Sequence, residues 1–243
     1  MTDLLLRSLR RLGLLRRVVL YPRRYSCGRP FRIPVYLGIG AAALEERDPW
    51  AGPVLQVLLM RCPGTFVDCG VNLGATLLKV HVISPDTPYL GFEANPVCVA
   101  YVDELMAVNG ITGPVVVPLA LTDRRGAATL EIYHHDPTDA TASSVPDFKQ
   151  GQEISKRISV PCMRFDEMAP ELLKGPIGVV RLDLEGADQQ ALEGMVEHLR
   201  RDRPVLILRL PPVYRESNTE RLHRQLRLEQ MLSELGYTLF RIH

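Results

Sequence analysis

The stretch Phe66-Val67-Asp68-Cys69-Gly70-Val71-Asn72-Leu73-Gly74 decides how this chain is read. An apolar run suited to a buried strand meets an acid, then two glycines four apart, then a run of helical character. A strand, turn and helix in this order bring backbone N–H groups and a helix N-terminus to one end of a sheet, where nucleotide-like cofactors bind. A phosphate-binding loop would need Gly-Lys-Ser/Thr, which the chain lacks. A dinucleotide fold wants G-x-G-x-x-G, whose middle glycine admits the pyrophosphate; here that position is Asn72.

S-adenosylmethionine has no pyrophosphate and makes no demand for that glycine. The next strand supports it, ending in Gly91-Phe92-Glu93, and Glu93 lies 23 residues after Gly70. That spacing fits one βαβ unit, and a carboxylate there can accept hydrogen bonds from two ribose hydroxyls. Further on, Val179 to Met195 reads VVRLDLEGADQQALEGM. It places Asp183 and Glu185 at a strand end facing the same cleft mouth as Asp68 and Glu93. The plainer reading is that Asp183 caps the following helix and Glu185 forms a surface ion pair.

Around these motifs strands and helices alternate. Strands are predicted at Thr65–Cys69, Tyr89–Glu93, Val115–Pro118, Gly178–Asp183, Pro204–Leu210 and Tyr237–Ile242. Helices are predicted at Ala75–Ile83, Pro96–Asn109, Ala187–Arg201 and Thr219–Leu235, with Gly236 ending the last. A further helix begins at Asp48-Pro49, with Asp48 as its cap, and stops at Cys62-Pro63-Gly64. Near-continuous apolar strands alternating with helices give an α/β fold, a doubly wound and mostly parallel sheet covered on both faces. A β insertion before the fourth core strand, Ala127–Tyr133 and Arg157–Met163, flanks a polar stretch from His134 to Lys156. A loop of that length is either a substrate-binding lid or a surface excursion.

Composition narrows the class. At 243 residues, 46% hydrophobic and 23% charged, the chain is an ordinary globular protein with one large domain. The five cysteines are odd in number and form no C-x-x-C, which argues for a reducing, cytoplasmic setting and against a zinc site. Residues 1–32 hold nine arginines and one acid, a charge of +8, which leaves −7 for the remainder. The acidic body excludes a nucleic-acid-binding core. From Leu4 to Leu20, Leu5, Leu9, Leu12, Leu15 and Val19 recur at helical spacing away from Arg7, Arg10, Arg11, Arg16 and Arg17. The organisation predicted is thus a basic N-terminal helical extension over 1–48 and a cofactor-binding domain over 49–243. The extension packs on the acidic body or makes peripheral contact with the inner membrane surface.

The combined motifs resemble the FkbM family of S-adenosylmethionine-dependent methyltransferases. They run Asp68-Cys69-Gly70-Val71-Asn72-Leu73-Gly74, Glu93-Ala94-Asn95-Pro96, Ala120-Leu121-Thr122-Asp123, Ser143-Ser144, and Arg181-Leu182-Asp183-Leu184-Glu185-Gly186-Ala187-Asp188. Val71 stands where the family has alanine, Arg181 where it has lysine, Asp188 where it has glutamate, and Arg209 where a strand-end glutamate is common. The resemblance implies a class I, Rossmann-like methyltransferase fold. It implies Gly70, Asn72 and Gly74 around the methionine part of the cofactor, Asp68 on its ammonium, Glu93 on the ribose, and Ala120 and Leu121 beside the adenine.

For methylation of a hydroxyl, Asp183 is the first candidate to accept the proton and Glu185 the second. Arg181 would orient the acceptor or neutralise these acids. The carboxylates could instead hold a divalent ion, but the metal-free version is preferred. His134 and His135 are alternative bases, and Ser143 and Ser144 would position a small-molecule or glycan acceptor. Two rivals remain: a binding module that keeps the fold without turnover, and a nicotinamide-dependent oxidoreductase, against which Asn72 counts.

Overall fold

The computed structural model describes residues 14–37, 39–41, 43, 48–133, 142–145, 152–209 and 219–241. The expected N-terminal helix does not continue through this region. A 3-10 turn at Leu14–Arg17 leads into β1 (Val19–Leu20), β2 (Arg23–Ser26), β3 (Arg29–Arg32) and β4 (Val35–Tyr36). The chain's own residues explain it. Pro22, Pro30 and Pro34 lack the N–H a helix interior needs. Cys27 and Gly28 take φ of 45° and 80°, the pair of left-handed residues that closes a two-residue hairpin between β2 and β3. The part of the predicted helix before Leu14 lies outside the described residues.

The helix α1 (Ala51–Arg61) starts later than expected. Asp48 is not its side-chain cap. Asp48 sits at φ 54° and offers its backbone oxygen to Ala51 N at 3.0 Å and to Lys79 Nζ at 2.9 Å. Beyond it come β5 (Thr65–Cys69), α2 (Ala75–Ile83), β6 (Tyr89–Phe92), α3 (Pro96–Asn109) and β7 (Val115–Val117). Next are β8 (Ala120–Leu121), β9 (Gly126–Tyr133), β10 (Ile154–Met163), α4 (Phe165–Leu172) and β11 (Ile177–Leu182). The remainder is α5 (Asp188–Glu193), α6 (Val196–Asp202), β12 (Val205–Leu208) and α7 (Thr219–Glu234).

The central sheet is wholly parallel in the order β12-β11-β5-β6-β7. Its two faces are both buried, which is why β5 reads as an unbroken buried run. On one face Val67, Cys69, Phe92, Val180 and Leu182 pack against α4, α5, α6 and α7 through Phe165, Leu192, Leu199 and Leu232. On the other, Phe66, Tyr89 and Val179 pack against α1, α2 and α3 through Leu55, Leu77, Tyr101 and Leu105. The predicted insertion forms a separate small sheet, with β10 antiparallel to β9 and parallel to β8.

Two further expectations are corrected. The helix predicted over 187–201 breaks into α5 and α6, because Gly194 packs so closely on the backbone of Thr122 that a Cβ there would collide with its oxygen. The strand predicted at Tyr237–Ile242 does not form over its described residues. Gly236 ends α7 at φ 76° as expected, Arg203 donates to the Leu235 and Gly236 carbonyls, and its guanidinium lies 4.7 Å from the Tyr237 ring centre. The segment beyond is unpaired, with Phe240 87% exposed.

The restart at α6 depends on a side chain from another helix. Asp166 of α4 accepts hydrogen bonds from Glu197 N at 3.1 Å and His198 N at 3.2 Å, and meets His198 Nδ1 at 2.6 Å. It serves the orphan donors that a local cap would otherwise take. Asp166→Ala removes that cap and strands a buried imidazole nitrogen. The expected cost is about 2–4 kcal/mol, read as a lower urea midpoint with an unchanged denaturant slope.

Candidate functional site

The carboxyl ends of β5, β6 and β11 converge on a cleft, the place where a doubly wound sheet binds ligands. At the end of β5 the chain turns at Gly70, φ 96°, and both Gly70 N and Val71 N donate to Phe92 O, at 2.9 and 3.2 Å. Asp183 N donates to Cys69 O at 3.0 Å, so β11 is drawn across the same turn. A Cβ at Gly70 would strike the Asp183 backbone oxygen, and that close approach requires the glycine. Asn72 sits in the left-handed region at φ 51°, a conformation asparagine tolerates better than most residues.

Asn72 N–H then donates to Glu93 Oε2 at 2.7 Å, while Asn95 N–H donates to Glu93 Oε1 at 2.7 Å. Glu93 is thereby pinned at the end of β6. Burial pushes its carboxyl above the ordinary value, and the Asn95 and Asn72 amides pull against that rise. Asn95 also caps α3, its side-chain oxygen accepting from Val97 N at 3.0 Å with Pro96 in the first turn. The Asn-Pro pair before an apolar run was a readable cap signal.

Gly70, Asn72, Glu93, Ala120, Leu121, Asp183 and Glu185 all line this one cleft. Its volume is about 70 Å³, and it is open to solvent. Leu119, Ala120, Leu121 and Leu130 give it an apolar wall. Ser144 lines it too, whereas Ser143 acts on the backbone: its Oγ donates to Glu185 O at 2.8 Å and accepts from Val145 N at 3.0 Å. Glu185 and Gly186 both have positive φ, 47° and 98°, so the loop after β11 is tightly kinked. Asp188 holds that kink, accepting from Leu184 N at 3.1 Å and Gly186 N at 3.3 Å. His134 and His135 lie outside the described residues.

Three predicted site residues, Asp68, Gly74 and Arg181, do not line this cleft. Asp68 is fully buried on the face of α1–α3 and does not line the cleft. Its Oδ2 accepts from Tyr89 Oη at 2.5 Å and its Oδ1 from Arg181 Nη1 at 3.0 Å. Burial pushes its carboxyl up, against the pull of Arg181 and Tyr89. In this structure both Asp68 oxygens are engaged within the protein, and Asp68 anchors Arg181. Gly74 is a packing glycine, since a Cβ there would come within 2.8 Å of Leu105 Cδ2. Tyr89, which the sequence offered only as an apolar strand residue, proves to be the buried donor that fixes Asp68.

Arg181 is the hub. Nη1 also donates to Gly70 O at 3.2 Å, and Nη2 donates to Asp183 Oδ2 at 2.7 Å. Burial works against its charge, but Asp68 and Asp183 outweigh that and hold the guanidinium above its ordinary value. Arg209, exposed at the end of β12, adds a longer contact of 3.4 Å to the same Asp183 oxygen and lies 3.6 Å from Asp48 Oδ2. Every contact between these arginines and Asp183 falls on Oδ2, and Oδ1 has none from either.

Compared with known families, residues 68–239 match the methyltransferase FkbM domain. The chain belongs to the FkbM methyltransferase family. No curated protein matches it. Among solved structures, an FkbM methyltransferase from Methylobacillus flagellatus KT is 14% identical, with a TM-score of 0.45 over 70% of this chain and 37% of that one. The chain thus spans little more than a third of that protein. An SAH-bound methyltransferase from Podospora anserina is 11% identical, with a TM-score of 0.42 over 81% and 71%. A putative O-methyltransferase from Klebsiella pneumoniae is 10% identical, with a TM-score of 0.44 over 78% and 70%.

The hub's energetics can be tested in this FkbM-family chain without any substrate. Arg181→Met leaves the Asp68 charge buried beside Tyr89 alone and should cost about 3–5 kcal/mol in urea unfolding. Adding Asp68→Asn should restore much of that loss. A pH series tests the kink. Burial raises Asp188 from 3.8 to about 6 in the fold, so the unfolded chain gives up its proton first and stability falls as pH rises through that window. Relative to Asp188→Asn, the wild type should lose roughly 1.4 kcal/mol per pH unit across it, with no further change above.

Proposed function

We propose that this protein is an S-adenosylmethionine-dependent O-methyltransferase acting on a hydroxyl of a sugar, glycolipid or secondary metabolite. The observation that carries the reading is Glu93, held by two backbone amides at the end of β6 beside an apolar wall. Each carboxylate oxygen has a further lone pair, so Glu93 can still accept both ribose hydroxyls. Leu119, Ala120 and Leu121 offer an adenine an apolar surface. A nucleoside cofactor would be held with its ribose on Glu93 and its base against Leu119, Ala120 and Leu121. The acceptor class follows from family resemblance.

The cofactor supplies an activated methyl on a sulfonium. Alignment of donor and acceptor then accounts for most of the rate. The chain's remaining task is to move a proton. Asp183 is the group for it, because Arg181 and Arg209 hold Oδ2 and fix the carboxylate so that Oδ1 can accept the acceptor's proton. The methyl would pass from the cofactor sulfonium to the acceptor oxygen with loss of S-adenosylhomocysteine, and Asp183 would take the acceptor's proton. In this scheme Arg181 positions Asp183 and does not touch the acceptor, since its donors go to Asp68, Gly70 and Asp183. Glu185 lies at the mouth as a second carboxylate.

The same two arginines motivate a second reading, a binding module that retains the cofactor but not turnover, with Asp183 serving only as their counter-ion. Calorimetry and an activity screen separate the two. The enzyme reading expects S-adenosylhomocysteine to bind, Glu93→Gln to weaken it by about tenfold or more while the variant still folds with a lower unfolding midpoint, since its amide loses one of the two backbone hydrogen bonds, and Asp183→Asn to bind it normally. Once an acceptor is found, Asp183→Asn should lower turnover by a factor of about 100 or more. Wild-type rates in that variant would remove Asp183 as the base, and failure of the protein to bind S-adenosylhomocysteine would remove the proposal.

A further inference from the structure

Six arginines and no acid lie between Leu14 and Leu37. The β2–β3 hairpin sorts two of them onto one face. Arg23 pairs with Arg32, and Tyr25 with Pro30, so these four side chains share a side of the ribbon. All four are exposed, Tyr25 at 71%. The opposite side carries Phe31, buried in the core beneath α3. Arg32 N donates to Asn109 Oδ1 and Asn109 Nδ2 donates to Arg32 O, each at 2.8 Å. The hairpin therefore cannot roll over without exposing Phe31 and breaking this clasp, and its arginine face stays outward.

Like charges directly opposite one another in an antiparallel pair are unfavourable. Among the described residues no carboxylate pairs with Arg23, Arg29 or Arg32. An external anion would relieve the repulsion. The same segment exposes Val19 at 63%, Tyr21 at 43% and Leu37 at 65%. Cations flanking an aromatic ring beside exposed apolar groups suit a headgroup layer, where tyrosine sits at the boundary and arginine meets phosphate. A long acidic polymer is a poorer match, because it offers no apolar layer for the exposed Val19, Tyr21 and Leu37. The sequence just before the hairpin adds a second signal of the same kind, Leu5, Leu9 and Leu12 at helical spacing among Arg7, Arg10 and Arg11. Among the described residues no helix is long and apolar enough to cross a membrane, so this contact is with a surface.

We propose that the outward face of this hairpin, Arg23, Tyr25, Pro30 and Arg32, docks the protein on an anionic lipid surface. The proposal stands independently of the chemistry in the cleft.

Co-sedimentation of the full chain with phosphatidylcholine vesicles, with and without phosphatidylglycerol, tests it. The expected result is binding only to the anionic vesicles, weakened by added salt. Each arginine near such a surface contributes about fivefold, so the double variant Arg23→Gln/Arg32→Gln should lower partitioning by about 25-fold. Tyr25→Ala should also lower it, and because these side chains face outward, thermal unfolding should not be lowered in either variant. Absence of binding to anionic vesicles overturns the proposal. So does equal binding by wild type and the double variant, or retention on heparin or RNA without vesicle binding.

Discussion

Arg181 joins two neighbouring strands through charge. It sits directly beside Asp68 in the parallel register of β11 and β5, and it reaches Asp183 two residues further on. Asp68 has no water to solvate it, so its charge is tolerable only with Arg181 on one oxygen and Tyr89 on the other. The chain thus carries a buried carboxylate whose partner must be in place for the sheet to close. Because the same guanidinium also holds the Gly70 carbonyl and Asp183, closing the sheet sets the geometry of the cleft.

The two sides of the cleft are built differently. On the β6 side, Glu93 is fixed by backbone amides, which are as rigid as the turn and helix cap that carry them. On the β11 side, Asp183 is fixed by side chains, one largely buried and one exposed. A site meant to hold a nucleoside benefits from the first arrangement, since little reorganises on binding. The proposed proton acceptor has the second, with Arg181 and Arg209 both on Oδ2. The small sheet of β8, β9 and β10 closes the assembly. Ser143, bridged to Glu131, donates to the Glu185 carbonyl and so ties the insertion to the loop after β11.

Much of this was legible in the chain. The strand and helix alternation, the Gly70 turn and Glu93 at the end of β6 follow from local pattern, because each depends on residues close in sequence, whereas Ala120 and Leu121 came only from the family resemblance. The errors have a common origin as well. Leucine and valine spacing before residue 20 fits a helix, but the prolines and the Cys27-Gly28 turn downstream commit the next residues to hairpins. The predicted helix over 187–201 ignored Gly194, whose meaning lies in its contact with Thr122, some seventy residues away.

The sequence by itself determined which residues form the parallel strands and which acids stand at their ends, since burial pattern and turn chemistry are local. Only the tertiary structure decided that Asp68 anchors Arg181, that Tyr89 is a donor, and that Gly74 makes room for Leu105. Those assignments depend on which side of a strand faces which neighbour, and on side chains from β5, β6 and β11 meeting across more than a hundred residues. No local pattern encodes a partner that arrives from elsewhere in the chain.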